Sequence, residues 1–199
     1  MMRTIIRILF AALCLALAVG TALYFAARQR PTLVRNLTPV AISPAAVKSF
    51  DQKAVALQQA ADKAQQTGKP QPVTVTFTET ELTSKAAQAL RDLPDSLIKA
   101  DNLELHLVDN GVIATSTIDV AGIPVSIAVV AEPLTIDGTT TFVIKDIQTG
   151  AIVLPDSLRA QIDSQLQQQL SPATLNLPFD VTGLEIENGQ LVLQASVNP

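Results

Sequence analysis

The sequence predicts an α+β protein: an N-terminal transmembrane helix and a stalk helix, then a curved antiparallel sheet of about six to eight strands with two amphipathic helices packed on one face. Residues 8–27 form an uncharged run of 20 residues, which is the length a helix needs to cross a bilayer core of about 30 Å. After residue 73, short alternating segments separated by glycine turns predominate, as in antiparallel sheets. The predicted parts are a cytoplasmic tail (1–7), the transmembrane helix (8–27), a linker and stalk helix (28–72) and an extracytoplasmic α+β domain (73–199).

The uncharged run predicts a single-pass anchor in the cell membrane. Arg3 and Arg7 precede it, and basic residues beside a span favour the cytoplasmic side. A cleaved signal peptide is the alternative, but the run is long for one, and Ala27 is followed at once by Arg28. A membrane anchor and a signal peptide would each direct the remainder of the chain out of the cytoplasm. The globular domain is therefore predicted to be extracytoplasmic.

Charge is divided unevenly along the chain. Residues 1–35 carry five arginines and no acid, whereas residues 36–199 carry nine basic and eighteen acidic residues and have a net charge of −9. Such an acidic domain disfavours nucleic acid as a partner, because phosphate recognition needs clustered Lys and Arg. It also disfavours adhesion to an anionic membrane surface by charge alone.

The stalk helix is predicted to begin at Ser43-Pro44, where Ser can cap the helix and Pro fits its first position. Gly68 and Pro70 end it. The apolar stripe is short and alanine-rich for a coiled coil, so we expect the helix to lie against its own domain. The stripe consists of Val47, Phe50, Ala54, Leu57, Ala61 and Ala64.

The first strand, Val73–Phe77, runs into a helix through a capping box. Thr78 can accept from the third residue of the helix, and Glu81 can reach back to the Thr78 amide. Glu79 and Glu81 also face the positive end of the helix dipole. The two acids are therefore interpreted as structural and not as a glycosidase pair, and Glu81→Ala should cost about 0.5–2 kcal/mol. The predicted buried stripe of this helix is Leu82, Ala86, Ala89, Leu90 and Leu93.

The rest of the domain is predicted to be mostly strands joined by tight turns. Asn110-Gly111 and Asn188-Gly189 are typical of two-residue hairpin turns. A second amphipathic helix begins at Asp156 and carries Leu158, Ile162, Leu166 and Leu170. The predicted strands are Leu103–Leu107, Val112–Val120, Ile123–Ala131, Thr139–Ile147, Ala151–Leu154, Val181–Glu187 and Gln190–Val197.

Residue types that carry chemistry are scarce. Cys14 is the single cysteine and lies in the uncharged run, and His106 is the single histidine. Alternation with Leu105 and Leu107 places His106 on a solvent-facing side of its strand. One histidine without an exported cysteine excludes an ordinary zinc site, and no disulfide is available. No catalytic residue, metal or cofactor is predicted, and an enzyme is not expected.

Two stretches carry a family resemblance: "FTETELTSKAAQAL" (Phe77–Leu90) and "TGAIVLPDSLRAQIDSQL" (Thr149–Leu166). In their order along an anchored chain they resemble the YpmS-like family of membrane-anchored extracytoplasmic bacterial domains, and more loosely the tubular lipid-binding envelope domains. The resemblance implies a non-catalytic extracytoplasmic domain with lipid or envelope-polymer binding as its role. It supplies no catalytic residue.

The favoured function is a membrane-tethered, non-enzymatic binder of lipid or another amphiphile in the cell envelope. The ligand would lie in an apolar groove between the helices and the sheet. A filled core is the alternative for the same residues, and it is the usual outcome. The alternative is a structural or interaction module of an envelope complex, acting through the stalk helix and the sheet edges. The groove candidates are Phe77, Leu82, Ala86, Ala89, Leu90, Val125, Ile127, Phe142, Leu158, Ile162 and Leu166.

Overall fold

The computed structural model describes residues 28–92, 99–109, 111–120, 122–136, 139–150 and 180–197, together with residues 21, 25, 26, 156, 157, 159, 160 and 162–164. The chain is α+β, as predicted. Its elements in order are α1 (Pro44–Thr67), β1 (Gln71–Thr78), α2 (Glu79–Arg91), β2 (Glu104–Val108), β3 (Gly111–Val120), β4 (Ile123–Ile136), β5 (Thr139–Thr149), β6 (Asp180–Glu187) and β7 (Gln190–Val197). The described residues of 156–164 are helical.

The strands are antiparallel and form two sheets, with the orders β1-β7-β6 and β2-β3-β4-β5. The sequence predicted a single sheet, and this prediction is wrong. Strand β1 pairs with β7 of the final hairpin and not with β2. Strand β6 approaches both β2 and β5, the two outer strands of the four-stranded sheet, as expected if that sheet curves. A register shift between Val130 and Ala131 in β4 is the kind of bulge that bends a strand.

Helix α2 covers the outer edge of β2 at Leu105 and Leu107. The Leu105 amide donates to Thr83 Oγ1 at 2.9 Å, and the Thr83 hydroxyl donates to the Leu105 carbonyl at 3.4 Å. The Leu107 amide donates to Glu79 Oε1 at 2.7 Å. These backbone groups point away from β3 and would otherwise be open to another strand. Side chains of α2 therefore occupy the edge that β1 would need.

The buried face of α2 differs from the predicted stripe. Thr83, Ser84 and Ala87 are at most 1% exposed, whereas Ala89 is exposed. The predicted burial of Ala89 is therefore wrong, and Leu82, Ala86 and Leu90 are only half-buried. The physical reason is that hydrogen bonds from Thr83 to β2, and from the Ser43 amide to Ser84 Oγ at 2.9 Å, turn a polar face inward.

Helix α1 lies against its own domain, as expected. Ser43 is the N-cap residue and Pro44 follows in the first turn, as predicted, but the Ser43 side chain makes no capping hydrogen bond. Gly68 ends the helix in the left-handed conformation with φ 62°. Leu57, Ala61 and Ala64 are buried, and the helix packs on β1 and α2. Its apolar stripe is thus used inside the domain.

The predicted membrane span lies almost entirely outside the described residues. Within residues 8–27 only 21, 25 and 26 are described, and they are helical. In the part of the chain that the structure describes, no helix combines the length and apolar character needed to cross a bilayer. The anchor therefore stays a prediction from the sequence.

Candidate functional site

The segment 28–42, predicted to be a linker, packs across one face of the four-stranded sheet. Val34 is 1% exposed and lies against Ile113 of β3 and Ala128 of β4. Arg30 forms an ion pair with Glu104 of β2. Apolar packing and one ion pair therefore hold the segment on the sheet.

A cleft of about 650 Å³ lies between this segment and strands β2, β3 and β4. Its volume is within the range of small-molecule sites, roughly 300–1,000 Å³. Hydroxyl-bearing, charged and aliphatic residues all contribute to the lining. The polar lining is Arg28, Arg30, Asp101, Asn102, Glu104, Thr115, Ser116, Thr117 and Ser126; the apolar lining is Pro31, Val34, Val40, Ala41, Ile42, Leu103, Pro124 and Ile127.

Charges around the cleft are compensated by ion pairs. Arg30 bonds to Glu104, and Arg91 bonds to Asp101 at 2.7 Å. The Arg30 side chain is 40% exposed and that of Glu104 is 16% exposed. The arginine therefore remains accessible to a ligand, while the carboxylate lies behind it. A polar ligand would meet a guanidinium and hydroxyl groups first.

His106 lies behind the cleft and is only 3% exposed, so its predicted solvent-facing position is wrong. Its Nε2 is 3.2 Å from Glu104 Oε2. The face of β2 that carries Glu104 and His106 is covered by segment 28–42, which the prediction treated as a linker. Through this contact His106 helps to hold the Glu104 carboxylate that pairs with Arg30.

Ser116 lines the cleft and His106 is the partner of the neighbouring Glu104, and both side chains are engaged in other contacts. The Ser116 hydroxyl donates to the Lys99 carbonyl at 2.8 Å, and His106 contacts a carboxylate, so these two groups do not form a nucleophile–base pair. Among the described residues no group of three or more His, Cys, Asp or Glu could hold a metal ion. The arrangement can bind and orient a polar group.

The acids of the capping box are structural, as predicted. Glu81 Oε2 accepts from the Thr78 amide at 2.9 Å and Thr78 Oγ1 accepts from the Glu81 amide at 3.3 Å. Lys53 of α1 donates to Glu81 at 2.7 Å and Ser49 donates at 2.5 Å. Burial raises the pKa of Glu81, but the bonds from Lys53, Ser49 and the Thr78 amide outweigh it and lower the pKa to about 2. Glu81 therefore remains ionised and clamps α1 to α2.

The apolar groove candidates are divided between two places. Phe77 and Leu82 pack with Leu57 of α1, whereas Val125 and Ile127 pack with Ile162. Ile127 also lines the cleft. Of the others, Ala86, Leu90 and Phe142 are half-buried and Ala89 is exposed. Leu158 and Leu166 lie outside the described residues.

Sequence reasoning missed the cleft because it assigned segment 28–42 to a linker. The available signal was the aliphatic content of that segment, with Val34, Leu37, Val40 and Ile42 at intervals of two or three. Comparison of the chain with protein-family models, curated proteins and solved structures found no match.

Proposed function

We propose that this chain is a membrane-tethered extracytoplasmic module that binds an amphiphile of the cell envelope, with the polar part of the ligand in the cleft. The observation that carries the proposal is the position of the cleft. Its lining begins at Arg28, directly after the uncharged run of residues 8–27. Tethered in this way, the cleft would open close to the membrane interface, where amphiphile headgroups are concentrated.

The composition of the cleft fits an amphiphile. Arg30 offers a guanidinium, which pairs well with phosphate or carboxylate groups, and Thr117 and Ser126 offer hydroxyls. Val40 and Ile42 also line the cleft, and each methylene buried against such side chains contributes about 0.8 kcal/mol. Five of the predicted groove residues are divided between two separate clusters: Phe77 and Leu82 in one, and Val125, Ile127 and Ile162 in the other. The cleft therefore replaces that groove as the proposed site.

Binding without chemistry is the form of function that the cleft supports. Its acids are engaged by arginines, and the neighbouring His106 contacts Glu104. A bound headgroup can be oriented by Arg30 and by the hydroxyl groups of β3 and β4. We therefore propose recognition and retention of the ligand, and no reaction step.

Native mass spectrometry of the full chain, released from detergent in the gas phase, tests this proposal. The expected result is a one-to-one adduct whose mass matches an envelope amphiphile and which survives after the detergent is removed. Extraction of the adduct and identification of its headgroup would define the ligand class. A bare monomer under the same conditions would contradict the proposal.

The alternative, an interaction module, is supported by the outer surface of α1. Val55 is 54% exposed and borders a shallow depression with Pro44 and Val47. This surface is smaller than the stripe predicted for the stalk helix, because Leu57, Ala61 and Ala64 of that stripe are buried in the domain. A defined oligomer or a stoichiometric protein partner in the same mass spectrum would favour this function over amphiphile binding.

A further inference from the structure

We infer that the cleft takes a phosphate ester, and that Glu104 competes with this group for Arg30. The inference rests on the proposed function, because it names the chemical class of the headgroup that would lie in the same cleft. It also gives Glu104, the ion-pair partner of Arg30, a role in specificity.

The Thr115 hydroxyl is a largely buried polar group on the wall of the cleft. Thr115 is 8% exposed and lines the cleft, and within the described residues its hydroxyl makes no hydrogen bond. In the same part of the chain, no side-chain polar atom that is closed off from solvent lacks a partner, so the Thr115 oxygen is reachable from the cleft. A polar ligand would therefore find an unused hydroxyl there.

Three hydroxyl groups and Glu104 share the face of the sheet that segment 28–42 covers. Thr115 lies directly opposite Glu104 of β2, and Thr117 lies directly opposite Ser126 of β4. The Cβ atoms of directly opposite residues lie about 4.5–5.5 Å apart on one face, and residues two apart on a strand share a face. Because Arg30 of the segment pairs with Glu104, its guanidinium lies beside this row of hydroxyls.

Arg30 and Thr117 both keep hydrogen-bond donors for a ligand. The guanidinium bonds to Glu104 through Nη2, and no hydrogen bond from its Nη1 or Nε is made to the described residues. Thr117 Oγ1 accepts from Asn102 Nδ2 at 3.3 Å, which leaves its hydroxyl proton to donate. A phosphate ester carries several acceptor oxygens, so it can bond to the arginine fork and to hydroxyls at the same time.

Charge at the cleft favours an anion despite the acidity of the domain. Arg28 and Arg30 line the cleft, and its two acids, Asp101 and Glu104, are each paired with an arginine. A phosphate at Arg30 would repel Glu104, since both anions would lie at one guanidinium. Glu104 would keep a second partner, because its Oε2 is 3.2 Å from His106 Nε2. Competition with Glu104 would therefore favour groups that hold Arg30 more strongly than a carboxylate does.

The test uses three probes that separate the phosphate from the acyl chains: dioleoyl phosphatidic acid, dioleoylglycerol and glycerol 3-phosphate. Each is titrated into the full-length protein in detergent, and binding is measured by native mass spectrometry. The variants are Arg30→Gln, Arg30→Lys and Glu104→Gln, each tested for folding by circular dichroism. The matched controls, Lys145→Gln and Glu132→Gln, break an ion pair of 3.3 Å. Glu132 lies roughly 20 Å along β4 from Ser126, beyond the screening length of about 10 Å.

Phosphatidic acid should bind about tenfold or more tightly than dioleoylglycerol, because its phosphate adds charge-assisted hydrogen bonds. Arg30→Gln should remove this preference, and Arg30→Lys should retain part of it, since Lys keeps the charge but not the fork. Glu104→Gln should strengthen the binding of phosphatidic acid several-fold by removing the competing charge. Neither control should change it by more than about twofold.

Equal binding of the two lipids would overturn the inference and leave amphiphile binding intact, and so would a folded Glu104→Gln variant that binds phosphatidic acid no better than the wild type. Glycerol 3-phosphate that binds as tightly as phosphatidic acid would support the phosphate site and contradict the amphiphile. If none of the three probes binds, the inference fails, and the adduct carried by the purified protein decides the proposed function separately.

Discussion

Replacing Glu81 with Gln keeps the shape of the side chain and removes its charge. In the native protein the Glu81 carboxylate accepts from Lys53, Ser49 and the Thr78 amide. The substitution leaves the Lys53 ammonium, whose side chain is 32% exposed, without its anionic partner. It also weakens the cap that begins α2. We therefore expect Glu81→Gln to lower the free energy of unfolding at neutral pH.

The size of this effect follows from the pKa of Glu81. Folding lowers the pKa from 4.5 to about 2, and one unit corresponds to about 1.4 kcal/mol. The charged carboxylate thus contributes about 3 kcal/mol, more than the cap alone would give. Because the folded pKa is the lower one, this contribution is complete above pH 4.5 and is lost as the pH falls toward 2.

The assay is urea unfolding of the full chain in detergent, followed by circular dichroism between pH 7 and pH 2.5. The wild type should exceed Glu81→Gln by about 3 kcal/mol at pH 7, and the difference should shrink below pH 4.5. Glu187→Gln, at an exposed position on β6, is the matched control and should stay within about 0.5 kcal/mol. A difference that is small at pH 7, or that is constant with pH, would refute the assignment of Glu81 as a charged clamp.

Three further changes test the predicted membrane anchor, the contact of segment 28–42 with Gly150, and the packing of α2. Lys at both Leu15 and Leu17 should cost about 2.5–3.5 kcal/mol per residue for membrane insertion; retention in the membrane after a carbonate wash would exclude this span. Gly150→Ala should expose the segment 28–42 to trypsin, because its Cβ would lie 2.1 Å from a passing carbonyl oxygen, and an unchanged cleavage rate would contradict that contact. Ala87→Leu should cost about 1–3 kcal/mol by overpacking, whereas Ala89→Leu at an exposed site should be nearly neutral; equal melting temperatures would show that the two faces are misassigned.

Local signals in the sequence predicted local structure well. The Thr78–Glu81 capping box is present in full, since it depends on residues three apart. Gly68 ends α1 with a positive φ, and Asn188 and Gly189 adopt positive φ in the last hairpin turn. Each of these conformations is favoured by the residue itself, and no distant contact is needed to fix it.

Long-range contacts were less accessible from the sequence. Alternation identified β1 as a strand, but alternation alone does not say that its partner is β7, more than a hundred residues away. The buried His106 depends on segment 28–42 folding back over β2, which neither segment specifies alone. In the sequence, Thr83 and Ser84 resemble polar surface residues. Their burial depends on hydrogen-bond partners in β2 and at the Ser43 amide, just before α1.

The most direct measurement is native mass spectrometry of two full-length variants that differ only in where a large side chain is placed. Thr117→Trp places an indole in the cleft, whereas Thr74→Trp places it at an exposed position on β1. If the cleft holds the amphiphile, the adduct should be lost from Thr117→Trp and retained by Thr74→Trp, with both variants folded by circular dichroism. An adduct of equal abundance on both variants would contradict binding in the cleft.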